Sequence, residues 1–191
     1  MEHYLIILIS AIFINNIVLS RFLGICPFLG VSKNTSTAIG MGGAVLFVMT
    51  VATIATFLIY HAILVPLEIT YLQTVAYILI IAFLVQVVEI VLKKVSPDLY
   101  QALGVFLPLI TTNCAILGVA ILVIQQDFNL MESVIFAIAN ALGFTLAIVI
   151  FSSLREQLDS SELPAAMKGV PAALIVAGIL SMAFMGFAGL V

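Results

Sequence analysis

The chain has 191 residues, 64% of them apolar, with six basic and nine acidic side chains, a net charge of −3 and a mean hydropathy of +1.36. So few charges cannot cover a soluble domain of this length, and no basic or aromatic–basic patch offers a surface for nucleic acid. What remains is a lipid-embedded chain, a single membrane domain over residues 1–191 with its charges confined to loops.

The N-terminal Met-Glu-His-Tyr lacks the positive segment of a cleavable signal, and the apolar run behind it is too long for one. Apolar runs follow at Tyr4–Val31, Ala38–Tyr60, Leu72–Leu92, Leu99–Ile124, Ser133–Leu154 and Val170–Val191. About 20 helical residues cross a hydrocarbon core of roughly 30 Å. Four runs fit that length. The first and fourth, at 28 and 26 residues, are too long for straight spans and contain breakers: Gly24, Pro27 and Gly30, then Gly104, Pro108 and Gly118. Excess length with breakers predicts interrupted helices, which lipid tolerates only where protein or a cavity satisfies the freed backbone.

The basic residues Arg21, Lys33, Lys93, Lys94, Arg155 and Lys168 all fall beside alternate loops, while Glu2, His3, His61, Glu68, Asp127 and Glu132 mark the opposite side. The positive-inside rule makes the first side cytoplasmic and places both termini outside. Cys26-Pro-Phe-Leu-Gly-Val31 recurs 88 residues later as Cys114-Ala-Ile-Leu-Gly-Val119, each copy ending an over-long run. Three spans per half, an odd number, turn the second half upside down. The expected fold is therefore all-α, six transmembrane helices in two inverted three-helix repeats, about 1–94 and 95–191, with spans 1 and 4 interrupted and a site where the broken helices meet.

Cys26 and Cys114 are the first candidates. A free cysteine is commonly a small buried hydrophobe, but both of these sit in a duplicated motif beside predicted breaks, and a disulfide inside lipid is not expected. Thiolates select zinc, copper(I) or iron–sulfur clusters. Clusters generally take four thiolates, so a cluster here would draw two from another chain. Asn15 and Asn16 in span 1 and Thr111, Thr112 and Asn113 before Cys114 either cap backbone freed by the breaks, or ligate a passing cation or tune the sulfurs. Glu89 is the one carboxylate well inside an apolar run; an ion pair with Lys93 one turn on competes with a place in an ion path. Arg21 is expected to snorkel, and Gly40, Gly42, Gly43, Gly178 and Gly186 to mark close helix packing. His3 and His61 are expected to be inert. Nothing reads as a phosphate loop, a His/Glu metal motif or a nucleophile triad.

At these residues the chain resembles a known family. Asn15-Asn16 through Phe22-Leu-Gly-Ile-Cys-Pro-Phe-Leu-Gly-Val-Ser-Lys33, together with Leu103-Gly-Val-Phe-Leu-Pro-Leu-Ile-Thr-Thr-Asn-Cys-Ala-Ile-Leu-Gly-Val119, is similar to the A subunit of the Rnf complex. Arg155-Glu156, Val170-Pro-Ala and the Ala183-Phe-Met-Gly-Phe-Ala-Gly-Leu ending extend the likeness over essentially the whole chain. The sister family, the E subunit of the Na+-translocating NADH:quinone reductase, shares the fold and the cysteine pair. The resemblance implies a bacterial or archaeal inner-membrane complex that passes electrons between ferredoxin and NAD+ while moving Na+ or H+. It implies an inverted homologous partner, the Rnf E subunit, beside the B, C, D and G subunits. It also implies a [2Fe-2S] cluster held by two cysteines from each homologue, Cys26 and Cys114 here. A cofactor-free inverted-repeat transporter and a purely structural scaffold are the competing readings.

Overall fold

The computed structural model describes residues 2–95, 101, 107–160, 164 and 167–189, and every regular element among them is helical. The elements are α1 (Glu2–Ile9), running into a π-helical turn at Ser10–Ile14; α2 (Ile25–Val31); α3 (Thr35–Ile59), with a π-helical turn at Tyr60–Leu64; α4 (Gln73–Val95); α5 (Leu107–Thr111); α6 (Cys114–Gln125); α7 (Leu130–Asp159); and α8 (Val170–Met185), closed by a 3-10 turn at Gly186–Gly189. Four segments, Thr35–Leu64, Gln73–Val91, Pro108–Gln125 and Leu130–Asp159, are long and apolar enough to cross a membrane. Two shorter apolar helices, Tyr4–Ile14 and Val170–Met185, occupy the places of the expected first and sixth spans.

Both over-long runs are interrupted, and of the breakers among the described residues Gly24 alone stands at a break. The first breaks at Asn15–Gly24, so Gly24 closes the gap while Pro27 and Gly30 lie inside α2. Pro27 stands in the first turn of that helix, where a missing N–H removes no intrahelical bond. The fourth breaks at Thr112–Asn113, leaving Pro108 in α5 and Gly118 in α6. Gly104 and the rest of the run before Leu107, apart from Gln101, lie outside the described residues, as does the C-terminal end of the last run at Leu190–Val191.

The centre of the molecule is the pair α3 and α7, which pack along one another. Lipid supplies no hydrophobic drive between helices, so close packing of small residues has to hold them. Ala38, Met41, Val45 and Ala52 of α3 and Ala137, Ala141, Phe144 and Ala147 of α7 are fully buried. A Cβ added at Gly42 would stand 2.5 Å from Cγ2 of Thr145, so the expected close-packing role holds for Gly42, whereas Gly43, Gly178 and Gly186 face open space. Hydroxyls inside these helices return to their own backbone: Thr53 to Met49 O, Thr56 to Ala52 O and Thr145 to Ala141 O, each at 2.8 Å. A capping box between Asn129 and Glu132 starts α7. The outer helices turn apolar side chains outward, Val75, Leu79 and Phe83 on α4 and Leu174, Ile179 and Met182 on α8. That face suits lipid.

Candidate functional site

The two helix breaks meet. Cys26 is the second residue of α2 and Cys114 the first of α6, so each cysteine stands in the opening turn of the half-helix behind its break. The backbone N–H of Gly24 donates to Sγ of Cys114 at 2.9 Å. The second cysteine is thereby tied to the residue two places before the first. Gly24 adopts φ +82°, a left-handed conformation open to glycine, and a Cβ there would meet Phe144 Cε2 at 3.1 Å, Ala115 Cβ at 3.2 Å and Asn113 Oδ1 at 3.3 Å. Leu23 Cδ1 lies 2.6 Å from the Cβ position of Gly118, and Leu109 Cδ1 lies 3.4 Å from that of Gly30. Both cysteines are free thiols and both are exposed on this chain.

Each expected polar residue has a place. Asn16, fully buried, is a junction: its Nδ2 donates to Ile12 O (3.0 Å) and Gly143 O (2.9 Å), and its Oδ1 accepts from Val18 N (3.0 Å) and Leu19 N (3.3 Å). It satisfies the backbone freed by the first break and pins that break to α7. Asn113 does likewise for α6, accepting from Ala115 N at 3.0 Å, while its Nδ2 is buried without a hydrogen-bond partner. Thr112 donates to Pro108 O at 3.0 Å and closes the last turn of α5. Thr111 and Glu89 each have an interaction partner, as does Lys93. Glu89 is half-buried on α4 and lines neither polar cavity beside the first break. His61 rests its ring on Phe57 at 4.3 Å, with Nδ1 3.1 Å from Phe57 O.

Asn15 differs from its neighbour. It is exposed and donates from Nδ2 to Ser10 Oγ at 3.2 Å, within the π-helical turn. Ser10 and Asn15 line two cavities at once. One, of about 160 Å³, lies between the first broken span and α6 and α7 and includes Arg21, Gln126 and Asn140. The other, of about 380 Å³, lies toward α8 and includes Ser20 and Ser181.

Arg155 and Glu156 are the residues whose part in the site the sequence concealed. A basic residue near a span end reads as a loop charge, yet Arg155 is buried within α7. Its Nη1 donates to Leu29 O (2.7 Å) and Ser32 Oγ (3.0 Å), placing a cation at the C-terminal carbonyls of α2. Glu156 Oε1 accepts from Thr35 N at 3.0 Å, placing an anion at the first turn of α3. Phe28 stacks on Phe151 with centroids 4.2 Å apart, fixing the face of α2 that carries neither charge nor thiol.

Against known proteins, the family profile described as "Rnf-Nqr subunit, membrane protein" matches residues 4–191. The A subunit of the Na(+)-translocating ferredoxin:NAD(+) oxidoreductase complex of Acetobacterium woodii is 60% identical over 184 residues, 96% of each chain. The A subunit of the ion-translocating oxidoreductase complex of Syntrophotalea carbinolica is 57% identical over 191 residues, 100% of this chain and 99% of that one. Its counterpart in Aeromonas salmonicida is 51% identical over the same length, again 100% of this chain and 99% of that one.

Proposed function

The chain belongs to the Rnf–Nqr family of membrane subunits, and on that footing we propose that it is the A subunit of an ion-translocating ferredoxin:NAD+ oxidoreductase and supplies half of an intramembrane [2Fe-2S] site. The observation that carries the proposal is the meeting of the two breaks, with the Gly24 N–H on Cys114 Sγ and both thiols exposed. Two thiolates are half of what such a cluster takes. Among the described residues no group of three or more His, Cys, Asp or Glu gathers to complete a metal site within this chain. The remaining two ligands then come from a homologous inverted subunit, in a complex that also holds the B, C, D and G subunits in a bacterial or archaeal inner membrane.

When bound, the cluster supplies a one-electron carrier at a depth that no soluble cofactor reaches. This chain's part is to place two sulfurs and set their surroundings. Cys26 and Cys114 hold their sulfurs at the starts of helices, where the dipole favours negative charge. The Gly24 N–H stabilises charge on Cys114 Sγ, and hydrogen bonds to ligating sulfur raise a cluster's potential. Asn16, Asn113 and Arg155 keep the half-helices in register so that the thiols keep their places. The six apolar segments cross as two inverted repeats, about 1–94 and 95–191, with both termini outside. Supporting this are the one-sided basic residues and the matched placing of each cysteine behind a break.

Replacing Cys26 or Cys114 with Ser in the purified complex removes its visible absorption from this site and lowers bound iron. An unchanged spectrum and iron content in either variant would refute the ligand assignment. A wild-type complex that is colourless and iron-free at this site would favour the cofactor-free transporter instead.

A further inference from the structure

Arg155 links two cavities of opposite character at the start of α8. One is a polar pocket of about 80 Å³, lined by Arg155 and Asp159 of α7, by Lys168 and Gly169, and by Ala172 and Ala173 of α8. Arg155 is 7% exposed, and both of its hydrogen bonds run from Nη1, to Leu29 O and Ser32 Oγ, which leaves Nε and Nη2 for the pocket. Lys168 is exposed and makes no hydrogen bond or ion pair among the described residues. Gly169 caps α8 at φ +87° with open space where a Cβ would stand, so bare backbone forms that edge of the pocket. The opening turn of a helix offers free amides and a positive dipole end, both suited to an anion. The other cavity is an apolar groove of about 150 Å³, where Leu29, the acceptor of the Arg155 bond, is joined by Phe22, Phe28, Leu174, Ala177 and Gly178. The pocket reaches Ala173 on α8 and the groove begins at Leu174, the next residue.

We propose that pocket and groove together form a site for one anionic phospholipid, with its phosphodiester in the pocket and an acyl chain laid along α8. The proposal rests on the reading of the chain as crossing a membrane with its basic side cytoplasmic, and not on the cluster. Charge selects the head. Arg155 and Lys168 against Asp159 leave one net positive charge among the described lining residues, the match for one phosphodiester. Asp159 then accepts from the hydroxyls of a glycerol headgroup, whereas a choline headgroup would add a surplus positive charge. Basic pockets between spans on the cytoplasmic side hold such heads. The small side chains Ala177 and Gly178 supply the furrow for the tail, and a Cβ at Gly178 would meet nothing within 4 Å. Seated there, the lipid fills the space between α2 and α8. Its phosphate shares Arg155 with the last carbonyls of α2, the half-helix that carries Cys26.

The test uses the whole complex, stripped of lipid in dodecylmaltoside and given phosphatidylglycerol or phosphatidylcholine with a photoreactive diazirine in one acyl chain. Peptide mapping after illumination places the phosphatidylglycerol label on residues 22–29 and 174–181, several-fold above the phosphatidylcholine label. Lys168→Gln lowers that labelling about fivefold at sub-saturating lipid, the factor for one basic side chain at an anionic head. Gly178→Leu fills the groove from a position with open space around it, so the chain folds and the label is lost. Excess inorganic phosphate leaves the labelling unchanged. Equal labelling by the two lipids, or labelling indifferent to Lys168→Gln, makes this an ordinary lipid-facing surface and overturns the proposal. No label on either segment means that another subunit covers the groove, and displacement by inorganic phosphate means a site for free phosphate; each overturns it as well. Iron content in the cysteine variants tests the cluster reading separately, and its failure leaves the labelling pattern standing.

Discussion

Gly24 donates its backbone N–H to the sulfur of Cys114 at 2.9 Å, across 90 residues of sequence. The bond requires Gly24 to hold φ +82° in a space already bounded by Phe144, Ala115 and Asn113.

Gly24→Ala therefore strains the backbone by about 1 kcal/mol or more and forces three neighbours to move. The expected outcome is a lower melting temperature for the purified complex together with loss of iron. A variant with wild-type melting and full iron content would show that the contact contributes nothing.

Asn16→Leu leaves the carbonyls of Ile12 and Gly143 and the N–H groups of Val18 and Leu19 without their buried partner. At about 1–3 kcal/mol for each stranded group, less whatever the backbone recovers by shifting, the loss is on the order of 3 kcal/mol. Asn16→Asp keeps the acceptor but sets a buried carboxylate against the carbonyl oxygens of Ile12 and Gly143, so it falls at or below Leu. Yield of assembled complex and its thermal midpoint rank the three.

That the two over-long apolar runs are interrupted could be read from the chain, because length and hydropathy are properties of the sequence alone. The position of the first break could not. Gly24, Pro27 and Gly30 look like equal breakers, yet a helix accepts proline in its first turn and glycine wherever packing wants a small residue. What places the gap at Asn15–Gly24 is the carboxamide of Asn16 reaching Gly143, a contact 127 residues away that no local pattern carries. The cysteines stand out in the sequence because their motif recurs; Arg155 does not, because its part lies in the carbonyl of Leu29 and not in its own neighbours.

Arg155→Lys retains the charge but replaces a fork by a single ammonium, and Arg155→Met removes both bonds and leaves Leu29 O short of its partner. The expected order of stability is wild type, Lys, Met, with Met about 2 kcal/mol down. Limited proteolysis in the segment between α2 and α3, near Lys33, reads the local effect: cleavage quickens in the same order. Equal cleavage in all three would mean that α2 does not depend on this cap.

Gly42→Ala introduces a methyl 2.5 Å from Thr145 Cγ2 and should destabilise the α3–α7 pair by about 1–3 kcal/mol. Thr145→Ala removes the clashing methyl and hydroxyl, so the double variant recovers part of the loss. The melting temperatures of the four proteins in this cycle check it, with a coupling near zero as the contrary result.

The first apolar run is moored to α7 within its gap, by Asn16 on Gly143, and beyond it, by Arg155 on Leu29. Those two points on α7 are 12 residues apart, about 18 Å of helix. A strut of that length makes α1, α2 and α7 a single stiff frame, and Cys26 rides on the frame. The helix bearing Cys114 packs against this frame through Ala115, Ile116 and Val119, and its cysteine takes one hydrogen bond from the frame's side of the break, the Gly24 N–H on Sγ. A thiolate at Cys114 would accept that bond more strongly than a thiol does.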